Sequence, residues 1–469
     1  MFQDIQRVFE LQQERAPYMA DLDARERVER LLRIDNYLKD EQRLEELCEA
    51  MYKDFRKPEV EVFATEVGVV QAQISHVRKR LHKWMKEKRV PTPLPMIGTR
   101  SHIHYEPKGV VLIMAPWNYP LNLTLVPLVY AIAAGNSVIL KPSEISSNTS
   151  AYIKRMITEL FDESEVAVFE GDSKVAQALL DQPFNHIFFT GSPEIGKVVM
   201  QKAAEHLTSV TLELGGKSPA IIDETANIKQ AARGAVWSKF VNNGQTCITP
   251  DYLILHESIL NPFVEEFKEA LQQFYDPHDM GIEQSPDYCR IISDHHFQRL
   301  NSLYKDACDK GACAIVGGKF NESQRFISPT LLGNMSEDMN IMQEEIFGPI
   351  LPIMTFRDKA EALDIIHRRP KPLTLYIASN NKKNIDYLIK ETSAGGTVIN
   401  DYMLGYSNPN LPFGGVNNSG IGKAMGFHGF VQFSNERSVI RRKWGSLSMI
   451  YPPYNDRIRW LVKTLYRRF

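Results

Sequence analysis

A cysteine that follows a run of asparagine, glycine and glutamine is placed to act as a nucleophile. Residues 242–248, Asn242-Asn243-Gly244-Gln245-Thr246-Cys247-Ile248, supply that run in a chain of 469 residues. The thiolate is the reactive form, and a turn near a helix end, rich in backbone N–H groups, favours it. Taken alone, Cys247 reads more readily as a small buried hydrophobe. Its neighbours must decide.

Four other stretches carry groups that could serve such a sulfur. Asn118, in Ala115-Pro116-Trp117-Asn118-Tyr119-Pro120, offers uncharged N–H donors suited to an oxyanion developing on a carbonyl, or is a turn-forming asparagine before a helix. Lys141 and Glu144, in Lys141-Pro142-Ser143-Glu144, could bond ribose hydroxyls, or be a solvated loop with a helix cap. Gly191-Ser192-Pro193-Glu194-Ile195-Gly196-Lys197 reads as strand, glycine loop, helix, which suits a pyrophosphate at a helix N-terminus. It nearly matches a P-loop, but Val198 stands where a magnesium-binding hydroxyl is needed, which disfavours a nucleotide triphosphatase. Glu213, closing a strand before Gly215-Gly216, is a general base if burial raises its pKa, or an ordinary salt-bridged glutamate.

The elements that must hold these loops can be read from hydrophobic pattern. Residues 1–90 are charged, poor in glycine and apolar at helical spacing (Leu31, Ile34, Leu38, Leu44, Leu47, Met51), a helical layer. Pro91, Pro93 and Pro95 end it, and residues 102–105 alternate like an arm that pairs elsewhere. From residue 110 to 212, apolar strands (110–114, 137–140, 166–169, 187–190, 210–212) alternate with helices, the mark of a doubly wound parallel sheet. Such sheets bind nucleotides at the carboxyl ends of their strands. A second α/β unit spans 213–410, with strands expected at 252–255, 350–356, 373–378 and 396–399 and helices near 231–240, 258–273, 287–309, 359–367 and 382–391. A closing strand at 431–440 is expected to meet the arm. The fold is therefore α/β: a Rossmann-like cofactor domain (1–98 and 110–212), a catalytic domain (213–410), a small β oligomerisation arm (99–109 and 428–443) and a tail over 444–469.

Composition bounds the partners. With 55 basic and 57 acidic residues the formal net charge is −2, so no global field points to nucleic acid. Five cysteines without metal-ligand spacing imply neither a disulfide framework nor a metal site, and with no secretory or transit segment visible they point to the cytoplasm. In the tail, Ile458, Leu461, Val462, Leu465, Tyr466 and Phe469 form an apolar stripe among Arg457, Arg459, Lys463, Arg467 and Arg468. That basic amphipathic helix is expected to dock on protein, or to touch an anionic membrane.

In this order and spacing the segments resemble the aldehyde dehydrogenase superfamily over nearly the whole chain, most closely its class 3 branch, with NNGQTCI followed by Pro250-Asp251-Tyr252. The resemblance implies Cys247 as nucleophile, Glu213 as base, and Asn118 with the Cys247 N–H as oxyanion hole. It places Trp117, Lys141, Glu144, Gly191, Ser192 and Gly196 on the cofactor, Glu345 on the nicotinamide ribose and Phe347 against the ring. Tyr119, Trp237, Thr246 and Phe413 become walls of an apolar substrate tunnel. The implied reaction is oxidation of a medium-chain or aromatic aldehyde by NAD, with NADP as an alternative, through a thiohemiacetal and a thioester that water cleaves, in a homodimer. An acylating or phosphorylating relative and a non-catalytic nucleotide-binding protein are the other readings. Ser192-Pro193 departs from the small polar residues common in the class 3 phosphate loop.

Overall fold

The computed structural model describes residues 2–446, 448 and 451–467. Five helices form the N-terminal layer: α1 (Phe2–Asp21), α2 (Ala24–Tyr37), α3 (Glu41–Phe55), α4 (Glu59–Val62) and α5 (Gly68–Trp84), the last two joined through a π-helical turn, Phe63–Val67. Their starts are written locally. Asp23 and Glu26 make a reciprocal capping box on α2, and Asp40 caps α3. Leu31, Ile34, Leu47 and Met51 are buried in the first core, as their spacing predicts.

The chain then runs β1 (Lys88–Val90), β2 (Thr99–Pro107), β3 (Val110–Met114), α6 (Asn122–Ala134), β4 (Ser137–Lys141), α7 (Ser147–Leu160), β5 (Val166–Val168), α8 (Ser173–Leu180), β6 (His186–Gly191), α9 (Pro193–Glu205) and β7 (Ser209–Leu214). β3, β4, β5, β6 and β7 are parallel, and every residue of β3 and β4 is buried. This agrees with the continuous apolar runs, since helices cover both faces of the sheet.

A second unit follows: β8 (Pro219–Ile222), α10 (Ile228–Phe240), β9 (Tyr252–His256), α11 (Leu260–Tyr275), α12 (Asp294–Asp309), β10 (Cys313–Val316), β11 (Phe320–Asn321), β12 (Phe326–Ile327), β13 (Thr330–Gly333), α13 (Asn340–Gln343), β14 (Ile350–Phe356), α14 (Lys359–His367), β15 (Thr374–Ala378), α15 (Lys382–Glu391) and β16 (Gly396–Ile399). Its sheet has the order β10-β13-β14-β9-β8-β15-β16. Strands β8, β10 and β13 are only four residues long and carry too little period for the sequence pattern to mark them. The helix expected over 287–309 begins only at Asp294, because Ser293 caps it and the preceding segment is tied down by the Arg290 N–H bond to the Phe55 carbonyl (2.9 Å).

The chain closes with β17 (Gly420–Ile421), α16 (Gly426–Gln432), β18 (Ser434–Arg442) and α17 (Asp456–Tyr466). β17 caps the edge of the first sheet, pairing antiparallel with β7 so that Gly420 faces Glu213. β18 pairs antiparallel with the arm β2 from Ser434 opposite Pro107 to Arg442 opposite Thr99. It begins later than expected, because residues 426–432 are helical. β18 is an edge strand with Ile440 exposed. Helix α17 carries exposed Trp460, Val462 and Tyr466 beside Arg457, Arg459 and Lys463. Arg468 and Phe469 of the expected stripe lie outside the described residues. Among the described residues no helix is long and apolar enough to cross a membrane.

Candidate active site

The turn before Cys247 is built from residues that tolerate a left-handed backbone. Helix α10 ends at Phe240, and Asn242, Asn243 and Gly244 follow at φ values of 52°, 58° and 70°. Asparagine and glycine populate this region at the lowest cost. A β-carbon on Gly244 would overlap the Gly348 carbonyl. Side chains lock the turn. The Asn242 amide donates to the carbonyls of Asn118 (2.8 Å) and Gln245 (3.1 Å), and the Asn243 amide to that of Cys289 (2.6 Å). The Gln245 amide donates to the carbonyls of Asn242 (3.0 Å) and Arg290 (3.1 Å).

That framework presents Cys247 to a cavity of about 570 Å³ lined also by Trp117, Asn118, Gly191, Ser192, Glu213, Glu345, Phe347 and Phe413. The residues come from loops after β3, β6 and β7, from the second unit, and from the segment that precedes β17. Asn118 is buried and its amide donates to the Gln245 carbonyl (2.9 Å), so it is held against the nucleophile turn. Tyr119 and Thr246 share a hydrogen bond of 2.8 Å and are buried beside the cavity rather than lining it. The Lys57 ammonium lies 4.0 Å from the centre of the Tyr119 ring and pairs with Glu66 at 3.0 Å.

Burial governs the protonation of the reactive groups. It pushes the Cys247 thiol up to about 12, and the negative charges of Glu345 and Glu213 add to the effect. The N–H groups of Cys247 and Ile248 oppose the shift without reversing it. The backbone donors favour the thiolate, as expected from the turn, and desolvation acts against them as the larger cause. Glu213 is raised well above the usual carboxylate range by burial, and the charge of Lys423 offsets part of this. Among the described residues neither Glu213 carboxylate oxygen has a hydrogen-bond partner. Glu345 is pushed up to about 8 by burial first and the nearby Asp251 charge second, against the Gly216 N–H and Lys217. Lys217 in turn pairs with Asp251 at 2.5 Å.

The nucleotide side has features a dinucleotide requires. Helix α9 begins at Pro193 directly off β6, with Ser192 as its N-cap, and sets its positive N-terminal end, Pro193 and Glu194, at the cavity. Gly196 lets this helix pack on β7: a β-carbon there would lie 2.8 Å from Leu214. Gly196 thus shapes the site without lining it. Trp117 and Phe347 meet edge to face with ring centres 5.3 Å apart, and His296 lies 4.8 Å from Trp117 on the other side. A β-carbon on Gly215 would overlap the Glu345 carboxylate. These buried acceptors, aromatic rings and glycine clearances fit a nicotinamide dinucleotide.

Three expected residues lie elsewhere. Lys141 and Glu144 pair with each other at 2.6 Å at the end of β4, outside the lining of the Cys247 cavity. Trp237 is half exposed and lines a separate cleft with Gly234, Asn400 and Tyr402. The tunnel-wall expectation is corrected here: on α10 the buried face is Ala231, Ala232, Ala235, Val236 and Lys239, and Trp237 falls off it. Sequence reasoning missed Tyr406, His296, Arg299 and Lys423. The first three line the cavity, but each sits in a stretch whose pattern reads as helix surface or loop.

The sequence pattern of the aldehyde dehydrogenase family matches residues 2–439. The chain belongs to the aldehyde dehydrogenase family. It is similar to the 4,4'-diaponeurosporen-aldehyde dehydrogenase of Staphylococcus aureus, at 46% identity over 89% of this chain and 90% of that one. It is also similar to aldehyde dehydrogenase family 3 member A2 of Macaca fascicularis, at 40% identity over 92% of this chain and 88% of the relative, which bears out the class 3 resemblance. Among solved structures, a substrate-bound state of Staphylococcus aureus AldH superimposes with a TM-score of 0.93 at 42% identity, covering 98% of this chain and 99% of that one. As an aldehyde dehydrogenase the protein is an aldehyde-oxidising oxidoreductase, and its two-sheet α/β fold is the family's.

Proposed function

We propose that this aldehyde dehydrogenase oxidises medium-chain aliphatic or aromatic aldehydes to carboxylic acids with NAD, NADP being the alternative cofactor, through a covalent cysteine adduct that water hydrolyses. The observation that carries the proposal is the convergence of Cys247, Asn118 and Glu213 on one cavity with Glu345 and Phe347.

The sulfur of Cys247 attacks the aldehyde carbon as its proton leaves toward a neighbouring carboxylate, Glu213 or Glu345, whose charges already reach it. The carbonyl oxygen becomes an oxyanion, which Asn118 and the Cys247 N–H hold, a contact worth about 3–4 kcal/mol per donor. When bound, the dinucleotide supplies the acceptor for the hydride that leaves this carbon. Glu345 and Phe347 would hold its nicotinamide end and the N-terminus of α9 its pyrophosphate. Glu213 then takes a proton from water, whose oxygen adds to the thioester carbon; the C–S bond breaks and the acid departs. A buried glutamate without fixed partners suits this step and supports hydrolysis over transfer to coenzyme A or phosphate. Lys141 and Glu144 would meet the adenine-side ribose, and Glu144 would repel a 2′-phosphate, which favours NAD.

Leu123, Val126, Tyr406 and Phe413 give the cavity apolar walls, which supports an apolar substrate. The free edge of β18 supports a homodimer joined through that strand. The test is production of reduced dinucleotide from NAD and NADP over a panel of aldehydes, with the acid identified as product and Cys247→Ala inactive. Equal turnover of acetaldehyde and hexanal at low concentration would overturn the substrate class, and an acyl thioester or acyl phosphate as product would overturn hydrolysis.

A further inference from the structure

The segment after Leu411 returns to the base. Phe413 and Ala424 form an antiparallel bridge (Phe413 N–H to Ala424 carbonyl, 3.2 Å; Ala424 N–H to Phe413 carbonyl, 2.6 Å). Within the hairpin they close, β17 pairs with Leu212 and Glu213, so the chain brings Lys423 to the end of β7. The Lys423 ammonium donates to the carbonyls of Gly414 and, at 3.0 Å, Gly415. A β-carbon on Gly414 would sit 2.8 Å from Glu213 Oε1 and 3.1 Å from Lys423 Cδ, so the glycine is the thin wall between the two side chains. Gly414 has φ 144°, a conformation that glycine adopts readily.

We propose that Lys423 is a positioning residue whose positive charge favours the ionised form of Glu213 for thioester hydrolysis, an inference that rests on the hydrolytic reading above. Among the described residues Glu213 has no hydrogen-bond donor, and the charge of Lys423 is what opposes the desolvation of its carboxylate. The titratable groups that reach Glu213 are Lys423 from this hairpin, Cys247 from the nucleophile turn and Tyr406 from the 404–406 turn. Lys423 is the cation among them. In the hydrolytic step a water proton passes to the Glu213 carboxylate, the water oxygen bonds to the acyl carbon, and the sulfur leaves with the C–S electron pair. An ionised Glu213 is the form that can receive the proton. By donating to two carbonyls rather than to the carboxylate, Lys423 leaves both Glu213 oxygens free of a fixed donor.

The test is infrared difference spectroscopy on the full chain, following the protonated Glu213 carboxyl as pH is raised, with the band assigned by its loss in Glu213→Gln. The titration midpoint is expected to rise by about one pH unit or more in Lys423→Met and to return to the parent value in Lys423→Arg. An unchanged midpoint in Lys423→Met overturns the proposal. So does a midpoint raised equally in both variants, because that assigns the effect to hairpin packing rather than charge. In parallel, Lys423→Met should keep the first-turnover burst of reduced dinucleotide and move the acid limb of steady-state turnover upward in pH. A parent protein that makes acyl thioester in place of acid would sink the hydrolytic reading while leaving the Glu213 titration to report on Lys423 by itself.

Discussion

The carboxylate of Glu345 fills the space that a side chain on Gly215 would occupy, and it is held there by the Gly216 N–H. The glycine pair after β7 therefore serves as the seat for an acid from the other unit. Gly215→Ala is expected to displace Glu345, an overpacking cost of about 1–3 kcal/mol, and to weaken dinucleotide binding about tenfold or more. Isothermal titration with NAD reads it. Unchanged affinity would separate Glu345 from the cofactor.

Cys247 makes a pH prediction. Its thiol is pushed up to about 12 by burial, so below that value the thiolate fraction keeps growing as pH rises. The rate of inactivation by iodoacetamide in the free protein should climb several-fold per pH unit between about pH 6 and 9 without levelling. A plateau below pH 8 would mean that the sulfur is already ionised, and that the backbone donors of the turn win after all.

Glu213→Gln should keep the burst of reduced dinucleotide, which needs the sulfur and the oxyanion donors, and lower steady-state turnover by about 10²–10⁴-fold. The wild-type rate should fall on the acid side from near-neutral pH, because a carboxyl raised well above its usual range takes up its proton there and ceases to act as a base. Rapid-quench measurement of the acyl-enzyme separates the steps. If burst and steady state fall together, Glu213 serves the addition step instead.

Asn242→Ala would lose two buried hydrogen bonds and leave alanine at φ 52°. Unfolding in urea should show a loss of about 2–4 kcal/mol. Asn242→Gly, which relieves the backbone strain but still lacks the amide, should recover only part of it. Equal stability of the two variants would show that backbone conformation contributes nothing.

Much of this site was legible because its chemistry sits in short loops at strand ends. Asn118 follows β3, Glu213 stands near the end of β7 and Cys247 follows the turn after α10, so each group sits beside a clear apolar element. The rest depends on contacts distant in sequence. Lys423 lies 210 positions after Glu213 (423 − 213), and only the pairing of β17 with β7 brings them together. Trp237 was misread because the side of α10 on which it falls is set by Leu253, Phe263 and Phe267 packing behind the helix, which its own period does not reveal. The desolvation of Cys247 was hidden for a related reason: burial depends on every element around the cavity, whereas N–H dipoles are visible in the turn itself.

The hairpin that closes beside Glu213 follows every other strand of the first sheet in chain order, so it leaves the ribosome after them. Until it arrives, the edge of β7 that β17 covers is unpaired, however well the earlier strands have formed during synthesis. A nascent or truncated chain ending before residue 412 would carry the nucleophile without a finished reaction chamber. The order of synthesis thus sets the order in which the two sides of the chamber can be joined.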